Sequence, residues 1–211
     1  MLYAFSHNSS YEPQWASSSY KPVDDPGRVA CTTCEHRGQK QPVGPIELVL
    51  DPGTGYPDIL SCLRDLPLLV VSQRVVQVWW EAGIQGFEAF PATVIQVRGF
   101  SADRTIPDYF YVRVTGRGQL DEALTPIKRC PACGDVLFDP TLKNAGYVLK
   151  EGSWNGFDLF ATDEFPQVTL CTERILKLAG QHRFTNSRFT PAAEAGPFGS
   201  LEYINYLNSQ E

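Results

Sequence analysis

Apolar and polar positions along the chain fall into short runs of two kinds. In "IELVL" (46–50), "ATVIQVRGF" (92–100) and "DYFYVRVTG" (108–116), β-branched and aromatic residues alternate or cluster, and each run reads as a strand. The first is closed by the turn Pro52-Gly53-Thr54-Gly55, and the other two are joined by the loop around "SADRTIP". In "QRVVQVWWEA" (73–82) the apolar residues line one helical face, with Ser72 placed to cap its start and Gly83 to end it in the left-handed conformation. Trp79 and Trp80 are adjacent on that helix, so its apolar face buries at most one indole, and the other is either exposed, where tryptophan is enriched at binding hot spots, or packed under a neighbouring strand. Residues 1–30 lack either period. After the strand-like start "LYAF", they are rich in Ser, Pro, Tyr and Asp, which predicts an irregular N-terminal wrap anchored by Trp15 and Tyr20.

The same pattern occurs a second time about one hundred residues later. Asp58-Ile59-Leu60 is echoed by Asp158-Leu159-Phe160, Pro67 by Pro166, and "VSQRVV" by "CTERIL", which pairs Ser72 with Thr172, Arg74 with Arg174 and Val75 with Ile175. "EAFPA" (88–92) is matched loosely by "SRFTPA" (187–192). Both copies read as an apolar strand, a hydroxyl N-cap, an Arg in the first turn, an apolar helical face and a glycine stop, at Gly83 and at Gly180. The expectation is a degenerate duplicated strand-helix-strand unit.

Composition adds bounds rather than elements. At 211 residues with 43% hydrophobic, the chain can bury a core of its own, so size alone does not require a metal for folding. The richest apolar runs, "LPLLVV" and "VVQVWW", are far shorter than the ~20 residues that span a bilayer, and "MLYAFSHNSS" has neither the basic start nor the apolar core of a secretory signal. A soluble, cytoplasmic protein is expected. The net charge of -6 disfavours nucleic acid as a direct partner and suits a basic protein partner better.

Six cysteines change the picture more. "ACTTCE" and "RCPACG" place Cys31 with Cys34, and Cys130 with Cys133, at the two-residue spacing that lets one tight turn aim two thiolates at one ion. Two such turns supply the four sulfurs of a closed tetrahedral zinc site, one ion per chain. Each knuckle stands upstream of one repeat, so packing of the repeats brings the knuckles together. Loop-closure cost grows only logarithmically with the intervening length, which makes the separation no obstacle. Four thiolates leave zinc no open position, so the expected role is structural.

His7, His36 and His182 form no HExxH or HxE pattern, and His36, two residues after Cys34, reads as a solvated loop histidine. Cys62 and Cys171 sit in apolar surroundings and read as small buried hydrophobes. A thioredoxin-like role for Cys130 and Cys133 would need a helix after the motif, where a strand-like "VLF" stands instead. No GxSxG elbow, P-loop or kinase signature occurs, and the acid pairs Asp24-Asp25 and Asp121-Glu122 lie in turn-like sequence, so no catalytic residues are assigned. Arg74 and Arg174 are expected to pair locally or to cover apolar surface with their stems.

The two distant knuckles, the second as "CPACG", followed by "FDLFATDEFPQVTLCTERIL", resemble the double-CXXCG proteins of myxobacteria, immunity proteins of swarm-inhibition toxins, which end in a similar "DLF…TER" segment. "VVSQRVVQVWWEAGIQGFEAFPATV" is similar to the repeated unit of a broad class of bacterial immunity proteins. The resemblance covers roughly residues 25–192 and departs at Glu35, which replaces the first motif glycine but leaves both sulfur ligands in place. It implies a non-enzymatic immunity protein that binds a cognate protein toxin in the cytoplasm and blocks it. The alternative is a zinc-ribbon module binding nucleic acid or a larger assembly, for which the residues offer Lys128-Arg129 beside Cys130.

The expected architecture is a single α+β domain (1–211) of two degenerate strand-helix-strand units with an antiparallel or mixed sheet, joined by a four-cysteine zinc ribbon-like clamp. Its parts are the wrap (1–30), the first knuckle and repeat (31–129), the second knuckle and repeat (130–195) and a C-terminal tail (196–211).

Overall fold

The computed structural model describes residues 1–7, 17–22, 31–34, 42–51, 55–62, 68–98, 105–137 and 146–195. Its elements are β1 (Leu2–His7), β2 (Ser17–Pro22), β3 (Ile46–Leu50), β4 (Ile59–Cys62), β5 (Leu69–Ser72), α1 (Gln73–Glu81), β6 (Phe87–Val97), β7 (Tyr109–Val114), β8 (Gly116–Gly118), β9 (Lys128–Arg129), β10 (Val136–Leu137), β11 (Leu159–Thr162), β12 (Leu170–Thr172), α2 (Glu173–His182) and β13 (Ser187–Pro191). The class is α+β with mixed sheets, mostly strand.

The duplication is present in the hydrogen-bond register. β4 pairs antiparallel with β5 through Ile59↔Val71 and Leu60↔Val70, and β11 with β12 through Leu159↔Cys171 and Phe160↔Leu170, the same pairs shifted by one hundred. In the first unit β7 lies between β5 and β6, antiparallel to both. In the second unit the equivalent place, between β12 and β13, is filled by β1. Tyr3 sits opposite Cys171 and Pro191 just as Phe110 sits opposite Val71 and Pro91. The repeat is thus circularly permuted, its fourth strand following the first copy and preceding the second.

This corrects two expectations about the boundaries. Residues 1–30 are not an irregular wrap throughout, since β1 is an interior strand of the five-stranded sheet β13-β1-β12-β11-β8 and β2 is part of the closed barrel β2-β3-β6-β7-β5-β4. The alternating "LYAF" is too apolar to leave at a surface, and Phe5 is buried against Trp79 and Phe189. The cut between 129 and 130 separates the helices but not the strands, because the second unit also takes β1 and β8 from before it. Trp15 and residues 196–211 lie outside the described residues.

Three apolar cores follow the duplication. The central one is shared, with Ile59 and Leu159, Val71 and Cys171, Val75 and Ile175, Trp79 and Ala179, and Ile84 and Phe184 contributing as pairs one hundred residues apart. Leu60, Val70 and Ala92 fill the barrel, while their counterparts Phe160, Leu170 and Ala192 form the outer core of the second unit. Barrel closure differs between the copies. β3 and β2 close the first, whereas Ile127 and Val136, from the segment carrying the second knuckle, pack against the second.

Both helices begin where expected, with Ser72 and Thr172 at the N-cap in extended conformation. The first ends at Gly83 with φ 63°, and Ile84 N–H donates to Trp79 O. Gly180 does not stop the second. α2 runs through it to His182, and the left-handed residue is Arg183 (φ 51°), the positional counterpart of Gly83, with Phe184 N–H donating to Ala179 O in the same way. An interior glycine costs a helix only about 1 kcal/mol, while the buried Phe184 fixes where the chain must turn back. A non-glycine residue in the left-handed region carries a penalty of about 1–2 kcal/mol. Arg183→Gly is therefore expected to raise the unfolding free energy by about 1 kcal/mol in denaturant melts.

Candidate metal centre

The first knuckle, Cys31–Cys34, belongs to the connection between β2 and β3 of the barrel, and the second lies between β9 and β10 of a two-stranded ribbon. The ribbon pairs Arg129 with Val136 and Lys128 with Leu137. Within it Cys130 N–H donates to Asp135 O at 2.8 Å and Gly134 N–H to Cys130 O at 2.9 Å. Gly134 has φ 78°, the left-handed conformation for which "CPACG" carries its glycine. The ribbon is seated on the second unit through Ile127 and Val136, so the cysteines join the barrel to that unit.

All four sulfurs lie within 4.8 Å of one another. The pairs across the knuckles are Cys31 Sγ to Cys130 Sγ at 3.9 Å and Cys34 Sγ to Cys133 Sγ at 3.7 Å. Sulfurs at 2.3 Å from a tetrahedral zinc are separated by about 3.8 Å, so the donor set fits such an ion, whereas a disulfide would need about 2.05 Å. Cys31, Cys34, Cys130, Cys133 and Cys171 form no disulfide. The four sequence-assigned ligands are thus brought together, and they could hold a metal ion.

The backbone prepares these sulfurs for charge. The N–H groups of Cys34 and Thr33, the latter 3.4 Å from Sγ, pull the Cys31 thiol down to about 6. Those of Cys133 and Ala132 lower Cys130. At Cys133 the Asp135 N–H acts in the same direction, but desolvation and the neighbouring sulfurs outweigh it and push the thiol up to about 12. Four thiolates this close repel one another, and a dication relieves that repulsion.

Other candidates separate cleanly. Cys171 is fully buried in the central core at the place of Val71, and burial, with the Asp158 charge second, raises its thiol far above the ordinary range. The Cys62 side chain and His36 lie outside the described residues. His182 is exposed at the end of α2 and stacks on Phe184. After Cys133 comes strand β10 rather than a helix, which removes the thioredoxin-like arrangement. Arg129 pairs with Glu122 at 2.7 Å, lies 3.8 Å from Glu164 and reaches Gly134 O at 3.5 Å, so of the Lys128-Arg129 pair one cation is committed to the protein. Trp79 is buried and Trp80 is 58% exposed, as one apolar helical face requires.

The arginines of the repeat make a second constellation, reciprocal between the units. The Asp58 carboxylate accepts from Ser72 Oγ (2.8 Å), Arg74 Nε (3.1 Å), Arg74 Nη2 (2.5 Å), Thr185 N (2.9 Å) and Thr185 Oγ1 (3.0 Å). Asp158 accepts from Thr172 Oγ1 (2.9 Å), Arg174 Nη1 (3.0 Å) and Gln85 N (3.3 Å). Each arginine then crosses to the other unit. Arg74 Nη1 donates to His182 O at the end of α2, and Arg174 Nη2 to Ala82 O at the end of α1. Each guanidinium thus neutralises its own aspartate and caps the carbonyl end of the opposite helix. Ser72 and Thr172 spend their hydroxyls on these aspartates and make no side-chain cap bond. The aspartates were visible in the sequence echo, but nothing in it marked them as the arginines' partners.

Neither a scan against protein-family models nor a comparison with curated proteins finds a match to this chain.

Proposed function

We propose that the protein works by stoichiometric binding, with zinc held by Cys31, Cys34, Cys130 and Cys133 as a structural clamp, and that it is an immunity protein whose partner is a cognate toxin of bacterial competition, neutralised in the cytoplasm. The observation that carries the clamp is the four-sulfur cluster itself. Its ligands come two from a barrel connection and two from a ribbon seated on the other unit, and four thiolates complete a tetrahedral sphere with no position left for a substrate. The immunity role is supported by the resemblance carried by the two knuckles and the "DLF…TER" segment, and the net charge of -6 suits a basic toxin. Among the described residues no helix is long and apolar enough to cross a membrane. Arg129 is engaged by Glu122 and Glu164, which leaves Lys128 of the Lys128-Arg129 pair for the nucleic-acid alternative, and the net charge of -6 disfavours that alternative.

Elemental analysis of the purified protein is expected to find about one zinc per chain, in a colourless solution that distinguishes zinc from a four-thiolate iron centre. Co-expression with the product of the adjacent gene is expected to rescue growth and yield a 1:1 complex. A neighbour that neither kills nor binds would remove the immunity role, and a metal-free protein with an unchanged melt would remove the clamp.

A further inference from the structure

We propose that the chain is a strand-exchanged dimer fused into one polypeptide. Residues 1–98 and 105–195 are two copies of one fold, each is the other's binding partner and is completed by the other's first strand, and equivalent turns hold the metal between them. Only the last of these parts rests on the metal reading above.

β8 takes in the second unit the place that β2 takes in the first. β2 runs parallel to β4 with Ser17↔Ser61 and Ser18↔Cys62, and β8 runs parallel to β11 with Arg117↔Ala161 and Gly118↔Thr162, the same pairs one hundred residues on. The segment 147–150 takes the place of β3. β3 is antiparallel to β2 through Tyr20↔Leu48 and parallel to β6 through Ile46↔Ala92. Correspondingly, Leu149 bridges antiparallel to Leu120, and Tyr147 N–H donates to Ala192 O at 2.7 Å. The cores obey the same mapping. Ile46, Leu48 and Leu68 of the barrel are matched in the outer core by Tyr147, Leu149 and Val168, and Tyr109 and Tyr111 of β7 by Leu2 and Ala4 of β1. The second unit is thus a more sparsely bonded barrel of the same topology.

Begun at β1 and at β7, the permuted repeat becomes two copies with one order of parts. The first runs β1, β2, knuckle, β3, β4, β5, α1, β6, and the second runs β7, β8, knuckle, 147–150, β11, β12, α2, β13. Each knuckle lies in the same connection of its own copy, and the four sulfurs gather within 4.8 Å. The crossed arginines follow the same rule, Arg74 meeting the end of α2 and Arg174 the end of α1, which is the reciprocity of a two-fold interface. Exchange of the first strands is built into the chain. β7 and β8 are separated by Thr115 alone, whose N–H donates to Gly86 O. Within its own copy β7 would have to lie beyond β11 and β12, three strand spacings from β8, or about 14 Å. Two residue steps span about 7 Å, so β7 is committed to the other copy.

Two forms of the full chain test this. In the first, a protease site flanked by glycine and serine is inserted between Ser101 and Ala102 and cut after folding. The fragments 1–101 and 102–211 are expected to elute together as a 1:1 pair holding about one zinc. They should stay together in chelator, because exchanged strands need no metal, and separate in denaturant. Metal content of the uncut chain reports on the metal reading and association in chelator on the exchange, so the two can fail independently. In the second form, the chain is permuted to begin at Ala102, pass from Glu211 to Met1 and end at Ser101. Ala192 N–H donates to Leu2 O at 2.9 Å, which sets β13 beside β1 as Ala92↔Tyr109 sets β6 beside β7. The new opening therefore falls at the place equivalent to the old one. The permutant is expected to fold with its thermal midpoint within about 4 °C of the native order. Fragments that part on cutting, or a permutant that does not fold, would overturn the proposal.

Discussion

Trp79→Ala is expected to lower the unfolding free energy by about 3–5 kcal/mol, the usual cost of deleting a fully buried large aromatic. The indole is 0% exposed in the core shared by both units. It meets Phe5 at 6.2 Å and Phe87 at 5.4 Å, both edge to face, so it touches β1, which completes the second unit, and β6, which belongs to the first. Its counterpart one hundred residues on is Ala179, which makes the central core a large-against-small fit across the repeat. Neither position can be altered alone without a void or a clash. Among the described residues its Nε1 is buried without a hydrogen-bond partner. Trp79→Phe should consequently cost much less, because it removes an unsatisfied donor along with part of the ring. Chemical denaturation of the two variants checks both statements. A loss below about 1 kcal/mol for the alanine variant would mean that the units do not depend on this contact.

Elements with their own local signal were legible in the sequence. "IELVL", the helix from Ser72 to Gly83 and the "DYFYV" strand each carry a period and an end, and they occupy Ile46–Leu50, Gln73–Glu81 and Tyr109–Val114. The four ligands were legible for a different reason, since thiolate spacing is dictated by the ion rather than by the fold. Placement of β1 was not. Its apolar alternation marks a strand, but only the register Tyr3↔Cys171 and Tyr3↔Pro191 reveals that it completes a unit more than 150 residues away, and no short-range pattern encodes that. The end of α2 was misread because Gly180 looked like a stop, whereas the turn is set by burial of Phe184, a tertiary effect. Close approaches of backbone were equally hidden. Gly86, with φ 95°, and Gly116 both lie against the Leu159 carbonyl so closely that a Cβ at either position would overlap it. No local sequence pattern marks either approach.

Asp58→Ala is expected to cost about 3 kcal/mol, and Asp158→Ala less, although the two occupy equivalent places. Breaking a buried, hydrogen-bonded ion pair costs about 3–5 kcal/mol. The lower end applies because the Arg74 side chain is 49% exposed and partly screened. Asp58 gathers donors from Ser72, Arg74 and both polar groups of Thr185, while Asp158 has Thr172, Arg174 and one backbone N–H of Gln85. Removing the Asp58 carboxylate also releases Arg74 from the geometry in which it caps His182 O, so the damage reaches α2. The pH dependence separates charge from shape. Burial alone would raise the Asp58 carboxyl, but the Arg74 guanidinium, the Thr185 N–H and the Ser72 hydroxyl together hold it below its ordinary value. A depressed folded-state pKa makes the contribution fully present above the unfolded value of about 3.9, and the contribution fades as pH falls through the lower folded value. Wild type and Asp58→Ala should differ fully near neutrality and converge in strong acid. Proton-driven loss of the metal acts on both proteins and cancels in the difference. A gap that stays constant into strong acid would show that the carboxylate acts through its shape, and that the crossed arginines, not the charge at their base, hold the units together.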